Sequence, residues 1–558
     1  MTTRPRGRLR RAERAVVVRL AAALLTAAAM TACASAPPAD PPAPPVPLPE
    51  RWAAGDGLAA PEPPEDAWWT ELGGAPLAEL VVEALGASPS LAAAAARVEV
   101  AAAQARIAGA DVWPQVGASF DASRRRQNFL GFPIPGADER GVLSNTTTSF
   151  STGLDVSWEI DLWGRLRAGE SAAVARLEAS AADLAAARLS LAGQVAKAWF
   201  GLLEAVEQTE LAGETAANRE LSRERVRRRY ELGLRPGLDL RLAIVSHATA
   251  EALAAQRERQ LDASRRRLEA LVVRYPDGTL GPPAATGEGE VEASDLATDP
   301  AAGAGGEAVP PAGDTVPDTP GALELVPPGP VPAGVPAEVL LRRPDLAAAE
   351  RRLAAAGLAV EGAEKALLPR ITLTGSAGRS SQDLEDLLDD DFTVWSVAAG
   401  LLQPIFQGGR LRAAVDVAEA RQAEALALWR DAALRALTEV EQSLAADAFL
   451  AAREAALEEA AAQAAEALET ARERYAAGLV DYLTVLESER QALDTRSQLL
   501  AARRERLDAR VDLHLALGGG FPPVAAPASA AEPAAEPTAE SARPPSASSP
   551  TAGDERSR

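Results

Sequence analysis

The amino-acid sequence predicts an α+β membrane protein that is internally duplicated, with long helical hairpins and four β-strands in each chain. Three observations predict this class: a repeat that relates the two halves, strand-like segments of about ten alternating residues, and very long helical stretches. Alanine dominates the apolar residues, and aromatic residues make up only 4% of the 558 positions. This composition favours long helices with closely packed backbones over one thick globular core.

The repeat is clearest where residues other than alanine are compared. Residues 89–114 align without gaps on residues 344–369, with proline at both ends of each stretch. The segment GRLRA occurs twice, and an Arg-Tyr pair with a nearby glycine follows it twice at the same spacing. Proline, glycine, arginine and tyrosine would not stay in register by chance, so both halves should have the same order of elements.

Two strands follow the first helix of each half. They are predicted at 113–124, 148–160, 369–378 and 392–406. Apolar and polar residues alternate over 154–161, which places the apolar side chains on one face. Such segments resemble transmembrane β-barrel strands, although a soluble hairpin can alternate in the same way. Four strands cannot close a membrane barrel, and lipid does not tolerate open edges, so several chains must pool their strands.

Long helices follow the strands, from Arg165 to about Leu232 and over 410–477, each on the order of 100 Å long. In the second helix a coiled-coil seam is formed by Leu426, Trp429, Ala433, Ala436 and Val440. A second apolar line runs beside it through Leu434, Leu437 and Leu444. Two seams on one helix predict neighbours on both flanks, although a plain coiled-coil rod would also explain the seams alone.

Each long helix is interrupted by similar residues. RRYELGLRPGLDLR spans 228–241, and ERYAAGLVDYLTVLESER spans 473–490. Gly233 and Gly478 are expected to adopt the left-handed conformation that ends a helix, so that the chain turns and returns. The two interruptions are therefore predicted to be the far tips of two helical hairpins, at the opposite end from the strands.

The N-terminal residues resemble a targeting segment. Residues 1–32 have the pattern of a signal peptide, with an arginine-rich start and an apolar run that is too short to span a bilayer. Cys33, the only cysteine of the chain, follows two small residues, as in a bacterial lipobox. We expect it to become a lipidated N-terminus, with residues 33–64 as a proline-rich tether. The alternative is an incidental thiol.

Two further segments lack the apolar residues needed for a core. Residues 276–336 are acidic, rich in proline and glycine, and free of lysine and arginine, which is typical of a linker. Residues 521–558 have the composition of a disordered tail. The two structural repeats are therefore expected at 65–275 and 337–520.

Charge and motifs argue against several functions. The formal net charge of −22 disfavours a nucleic-acid partner. His247 and His514 are the only histidines, and they are far apart in the sequence, each within a helical pattern. The sequence contains no phosphate-binding loop, nucleophile elbow or CxxC motif. We therefore expect no enzyme, no cofactor and no metal site.

Several motifs together resemble one family. RYAAGLVDYLTVLESERQAL, a closing LHLALGGGF, LLRRPDLAAAERRLAAA and the doubled GRLRA resemble the TolC-like outer-membrane efflux proteins, specifically the OprM/NodT-type lipoprotein branch. The resemblance covers roughly residues 65–275 and 335–520. It implies a homotrimer with a 12-stranded outer-membrane β-barrel, surrounded by outer-membrane lipid, and twelve helix segments that form a periplasmic α-barrel. It also implies two protein partners, a periplasmic adaptor and an inner-membrane, proton-driven pump.

The implied function is the outer-membrane channel of a tripartite efflux system, which conducts drugs or other toxic small molecules to the exterior. One alternative is the outer-membrane outlet of a type I protein-secretion system. Another is a periplasm-spanning structural lipoprotein that forms no pore. The lipobox and the LGGG ending favour the drug-efflux branch.

The hairpin tips are expected to carry the candidate sites. The predicted adaptor-facing residues are Tyr230, Gly233, Asp239, Tyr475, Gly478 and Asp481. Leu483 and Glu487 match the family positions of an apolar and an acidic ring, which implies a periplasmic gate. Val480 and Thr484 replace the arginine and the first aspartate of the archetype, so a leucine plug is favoured over a salt-bridge lock. The alternative is that Leu483 only packs on a neighbouring helix.

The same resemblance gives an expectation for the charge at the gate. In a trimer the carboxylates of three Glu487 residues would be held close together and would repel one another. Repulsion between like charges disfavours ionisation, so the pKa of Glu487 is expected to rise. The ring is also expected to favour the passage of cations.

Overall fold

The computed structural model describes residues 44, 46–49, 51–54, 67–129, 143–281 and 336–519. The predicted signal peptide, Cys33 and the predicted tail lie outside the described residues. The predicted linker also lies outside them, except at its two ends.

Each half begins with helices that lead into a strand pair. In the first half α1 spans Trp69–Ala87 and α2 spans Pro89–Ala110, and in the second half α5 spans Pro336–Arg342 and α6 spans Pro344–Lys365. Proline begins both α2 and α6. An N–H at the first position of a helix has no intrahelical acceptor, so the lack of an N–H in proline costs no hydrogen bond there. Among the described helices none alone is long and apolar enough to cross a membrane. Helices α1 and α2, which meet at a bend of 47°, reach that length and composition only when taken together.

The long hairpins have identical element lengths in the two halves. Helix α3 spans Arg165–Glu231 and α4 spans Gly237–Leu271, while α7 spans Arg410–Ala476 and α8 spans Tyr482–Ala516. The longer helices contain 67 residues each and the returning helices contain 35 each. At 1.5 Å per residue, α3 and α7 are each about 100 Å long. The predicted hairpins and the predicted duplication are confirmed.

Four antiparallel strands form one sheet in the order β1-β2-β3-β4. Strand β1 spans Gln115–Phe129, β2 spans Leu143–Ile160, β3 spans Arg370–Ser381 and β4 spans Thr393–Leu402. The four predicted strands are confirmed, but β1 and β2 extend further towards each other than predicted. The added stretches, RRQNF and LSNTT, are mainly polar, so they give no apolar alternation by which a sequence could mark them as strand.

The sheet has one apolar and one polar face. The cross-strand row of Ala118, Leu154, Ala377 and Trp395 is apolar. The adjacent row, which faces the other side, consists of Gly117, Asp155, Ser376 and Ser396. On this polar face the hydroxyl oxygens of Ser376 and Ser396 are 2.8 Å apart. The apolar face therefore suits lipid, and the polar face suits water.

The main core lies where the first hairpin meets α1 and α8. Its largest fully buried side chains include Trp68, Trp199, Phe200, Leu202 and Leu507. Burying each apolar side chain of this size contributes about 1.5–3 kcal/mol to stability. Gly193 allows α3 to approach α8 closely, because an added Cβ would lie 2.6 Å from a methyl carbon of Leu515.

Part of the predicted tether is bound to the helices. Trp52 is buried against a cluster that includes Val440 of α7 and Leu513 of α8. The backbone N–H groups of Ala53 and Ala54 donate to the two carboxylate oxygens of Glu441, at 2.8 and 2.9 Å. Residues 52–54, within the predicted tether, therefore pack on the helices.

The predicted linker also begins with an ordered stretch. Glu269, near the end of α4, is almost fully buried. Its carboxylate accepts hydrogen bonds from the N–H groups of Gly278 and Leu280, at 2.8 and 2.9 Å. Residues 276–281 thus fold back onto α4, because these bonds satisfy a carboxylate that burial would otherwise leave unpaired.

Candidate functional site

Both hairpins turn through the same pattern of hydrogen bonds. Gly233 and Gly478 have φ angles of 70° and 76°, in the left-handed region that favours glycine. Each glycine N–H donates to the carbonyl of the tyrosine three residues earlier, at 2.9 Å for Tyr230 and 3.0 Å for Tyr475. The following N–H reaches the carbonyl of the preceding arginine at 2.9 Å in both turns. The predicted tips are therefore confirmed as helix-ending turns.

The returning helices begin differently. Asp481 caps α8, and its carboxylate accepts hydrogen bonds from the hydroxyl and the N–H of Thr484, at 2.6 and 2.9 Å. The Thr484 hydroxyl, and then its N–H, hold the pKa of Asp481 below its ordinary value. Pro236 precedes α4 without a side-chain cap, while Asp239 lies in the first turn, where the helix dipole favours a negative charge.

Tyr475 connects the two tips, whereas Tyr230 is exposed. The guanidinium carbon of Arg235, from the first tip, lies 4.6 Å from the centroid of the Tyr475 ring. Arg235 also donates to the Tyr475 carbonyl at 3.4 Å. The ring of Tyr482 also packs against the Tyr475 ring, with 5.4 Å between the ring centroids. Burial raises the pKa of Tyr475, so its hydroxyl stays neutral over the physiological range.

A buried ionic cluster joins the hairpins just above the tips. Glu489 of α8 lies between Arg219 of α3 and Arg472 of α7, with N···O distances of 3.7 and 3.3 Å. Arg219 also donates to the carbonyl of Ser246, in α4, at 3.2 Å. All four long helices therefore meet at one charged centre. Sequence reasoning missed this cluster and Arg235. Arg219 and Glu489, like Arg235 and Tyr475, are hundreds of positions apart, and Arg472 and Glu489 lie on different helices, so no local spacing relates them.

The predicted apolar gate residue is exposed within one chain. Leu483 is 58% exposed, although its neighbours Tyr482 and Val485 are buried in the contact between the hairpins. Leu238, which occupies the equivalent position in the first repeat, is also exposed. Leu483 therefore belongs to a side of the tip that is unpacked in the single chain, and it is available for a contact outside that chain.

In the single chain Glu487 is paired with Arg490, and the rise in its pKa expected from three neighbouring copies stays a prediction. An Arg490 guanidinium nitrogen lies 2.5 Å from the Glu487 carboxylate. This hydrogen bond, together with the positive charge of Arg490, lowers the pKa of Glu487. The two residues are three positions apart on one helix face, so the pairing could have been read from the sequence.

Comparison with known proteins places these features in a family. Residues 80–272 and 335–519 match the family described as "Outer membrane efflux protein". The pyoverdine export outer membrane protein OpmQ of Pseudomonas putida is 33% identical over 475 residues, which cover 85% of this chain and 92% of OpmQ. The outer membrane protein OprJ of Pseudomonas aeruginosa is 32% identical over 461 residues, which cover 81% of this chain and 86% of OprJ.

A solved structure shows the same fold. The structure of the outer-membrane channel OprN superposes with a TM-score of 0.73 and 25% sequence identity, over 88% of this chain and 99% of OprN. The resemblance to TolC-like proteins and the fold of long helical hairpins with four antiparallel strands are thereby confirmed. This chain belongs to the outer membrane efflux protein family, and it is an outer-membrane channel of efflux systems and not an enzyme.

Proposed function

We propose that three copies of this chain form the outer-membrane channel of a tripartite efflux system. In this arrangement an inner-membrane pump, driven by protons, and a periplasmic adaptor deliver toxic small molecules to the channel. The observation that carries the proposal is that, in one chain, the sheet has two open edges and the layer of packed helices also has two open edges.

The open sheet edges call for further copies. In the described part of the chain, strands β1 and β4 are each paired on one side only, so both present unpaired backbone groups. A spanning sheet must close on itself in lipid, and four strands are too few to do so. Three copies would contribute twelve strands, with the apolar face towards lipid and the polar face towards a water-filled lumen.

The helices have matching open edges. Helix α3 packs against α2 and α6, and α6 packs in turn against α7. The outer helices of this series expose apolar side chains, with Val100 and Ile107 on α2 and Val417 and Leu434 on α7. Within one chain α2 packs against α3. Because the repeat relates α3 to α7, the free side of α7 suits α2 of the next copy in the same way.

The tips suit docking and closure. With two tips in each chain, a trimer presents six similar ends at one level, which suits a ring-shaped adaptor. The proposed docking residues are Tyr230, Gly233, Asp239, Tyr475, Gly478 and Asp481. Three Leu483 side chains around the axis would close the lumen by excluding water, as apolar constrictions do. Glu487, paired with Arg490, would contribute an ionised ring next to this constriction.

The cargo is proposed only as a class. OpmQ is named for the export of pyoverdine, and another relative is named for toluene efflux. Because such different molecules leave through related channels, we propose that the pump selects the small-molecule cargo and that the channel conducts it.

The decisive experiment measures conductance of the purified protein in planar bilayers, with its oligomeric state measured by light scattering. A conducting trimer supports the proposal, whereas a trimer without conductance would indicate a structural lipoprotein. Leu483→Ala should increase single-channel conductance because it widens the apolar constriction. Leu238→Ala is the matched control in the first hairpin. Equal increases in the two variants would argue against a gate at Leu483.

The proposed lipid anchor has its own test. Cys33→Ser should abolish incorporation of labelled palmitate in cells, because the acylated thiol is removed. The strands should still insert, since acyl chains only add to an apolar surface that is already present. Palmitate that remains on the Cys33→Ser protein would contradict acylation at this residue.

A further inference from the structure

The β1–β2 hairpin extends beyond the rest of the sheet. The last pair between β2 and β3 joins Phe150 to Ser381, and past this level β2 pairs with β1 alone. The helices leave the sheet at its other end, where Ile160 precedes α3 and Leu402 precedes α7. The free part of the hairpin therefore lies on the side of the membrane away from the helices, which is the cell exterior.

Two arginines continue the apolar face of this hairpin. Val116, Ala118, Phe120 and Ala122 alternate along β1 on the face that carries Leu154 and Trp395. The same alternation places Arg124 and Arg126 on this face, opposite Thr148 and Thr146 of β2. Arg125, between them, lies on the opposite, polar face. The pair thus points in the direction of lipid, immediately beyond the apolar belt.

The height of the belt places the two arginines at the headgroups. The apolar face ends nearest the helices at the row of Ile160, Ile371 and Leu401. From this row to Thr148, which pairs with Arg124, β2 rises roughly 40 Å along the strand, or about 30 Å across the membrane at a tilt of 40°. An outer-membrane apolar band is about 25 Å tall. Arg124 is therefore just outside the hydrocarbon, and Arg126 is further out.

No carboxylate in the described part of the chain neutralises these arginines. Both are exposed, and among the described residues Arg126 donates to the hydroxyl of Ser144 at 3.1 Å, which leaves its charge uncompensated. The connection between β3 and β4 carries six carboxylates. Asp390 is paired with Arg379, Asp386 accepts from the hydroxyl of Ser381, and among the described residues none of the six forms an ion pair with Arg124 or Arg126. The arginines therefore have full positive charges directed at the lipid headgroups.

We propose that Arg124 and Arg126 bind the phosphate groups of phosphorylated glycolipids in the outer leaflet. A guanidinium group can donate two parallel hydrogen bonds to a phosphate, and it keeps its charge at any physiological pH. Lipid is favoured over a soluble anion, because the arginines continue the lipid-facing belt and do not line the lumen. The site anchors the hairpin at the membrane surface. It rests on the proposed arrangement of the barrel, with the apolar face towards lipid and the helices in the periplasm, and not on the proposed gate or adaptor.

The test uses the purified channel in detergent with bisphosphorylated lipid A as the probe, and native mass spectrometry measures the bound lipid. Each arginine near an anionic surface contributes about a fivefold gain in binding, so the Arg124→Ser/Arg126→Ser variant should bind roughly 25-fold more weakly. Arg125→Ser, which removes the same charge from the other face, should bind like the parent protein. Arg124→Lys/Arg126→Lys should restore most of the binding.

Several outcomes would overturn the proposal. One is equal binding by the parent and the double serine variant, and another is an equal loss in Arg125→Ser, which would indicate a general charge effect. Dephosphorylated lipid A that binds as well as the bisphosphorylated form would exclude phosphate recognition. Inorganic phosphate that displaces the lipid at millimolar concentration would identify a soluble anion site. Dissociation of the double serine variant into single chains would assign the arginines to contacts between subunits.

Discussion

The two long helices have the same length but different surroundings. Helix α3 is buried along much of its length, because α2, α4, α6 and α8 pack around it. Helix α7 contacts α5, α6, α8 and residues 52–54, and its remaining side is open. Repeat-related residues show the difference directly: Leu189 is 6% exposed, while Leu434 at the equivalent position is 42% exposed. The pattern of apolar residues is thus repeated, and only the position in the wall decides whether a residue is buried within the chain.

The ends of the returning helices differ at a second pair of positions. After α4, Val273 adopts a φ of 62°, whereas Gly518 after α8 has a φ of 88°. Both residues donate to the carbonyl three residues earlier, at 3.3 and 3.1 Å, so the two endings have the same geometry. One helix ends at a residue suited to this conformation, and the other at a β-branched residue that is strained by it. The two repeats therefore have the same backbone geometry at this position but different residue types.

The largest effect is expected from a charge placed at the repeat-related leucines. Leu189→Glu should prevent folding, because a carboxylate buried without a partner costs several kcal/mol. Leu434→Glu should leave a folded chain that does not assemble, because in the proposed trimer this side chain is buried against another copy. Circular dichroism measures the helix content, and light scattering in detergent measures the mass.

Leu221→Glu serves as the control for this comparison. Leu221 is exposed on α3, and its repeat-related residue in α7 is already Glu466. This variant should fold and assemble like the parent. If Leu434→Glu assembled equally well, the open side of α7 would not be a contact between copies.

A smaller effect is expected at Gly518. An added Cβ would lie 3.2 Å from the carbonyl carbon of Arg342 and the nitrogen of Arg343, in addition to the strain of a positive φ. Gly518→Val should therefore lower the free energy of unfolding by about 3 kcal/mol. Urea unfolding, followed by tryptophan fluorescence, measures the change. A variant as stable as the parent would show that the α5 backbone can move away at no cost.

Acid should weaken the second hairpin through His514. This residue is buried and stacks on Trp68, with 5.1 Å between the ring centroids. Burial, with a contribution from the charge of Arg510, lowers the pKa of His514 from 6.5 to about 4. The unfolded chain therefore binds a proton at a higher pH than the folded chain. The stability from neutral His514 is complete above pH 6.5 and should decrease by about 3 kcal/mol as the pH falls to 4.

His514→Gln is the control for this pH dependence, because it removes the titrating group and leaves His247 in place. The first repeat has Glu269 at the equivalent position, so the effect should be confined to the second hairpin. Hydrogen exchange at pH 4.5 and 7 would locate it. If exchange at the lower pH increased more in α4 than in α8, the acid sensitivity would lie in the first hairpin, and His514 would not be its source.

The smallest effect is a gain in stability at Val273. Val273→Gly should remove left-handed strain of about 1–2 kcal/mol, offset in part by the greater freedom of glycine in the unfolded chain. We expect a net stabilisation of up to about 1 kcal/mol, measured as a shift of the urea midpoint. Val273→Ala keeps the strain and should give no gain. A loss of stability in the glycine variant would mean that contacts of the valine side chain outweigh its strain.

The sequence by itself determined the elements that depend on neighbouring residues. Helical periodicity, the prolines before α2 and α6, and the glycines at 233 and 478 act over a few positions. They specify where an element begins and ends without reference to the rest of the chain. The duplication strengthened each assignment, because the same local signals occur twice in the same order. For this reason the hairpins, the tips and the core of each strand were predictable.

Only the tertiary structure decided which distant groups meet. The docking of Trp52 beside Glu441, the stacking of Arg235 on Tyr475, and the position of Glu489 between Arg219 and Arg472 join residues from separate elements. Each contact depends on the axial register of helices on the order of 100 Å long. A shift of one turn along the axis would move a side chain by about 5 Å and break the contact. Local sequence signals carry no information about that register, because it is set by the packing of whole helix faces.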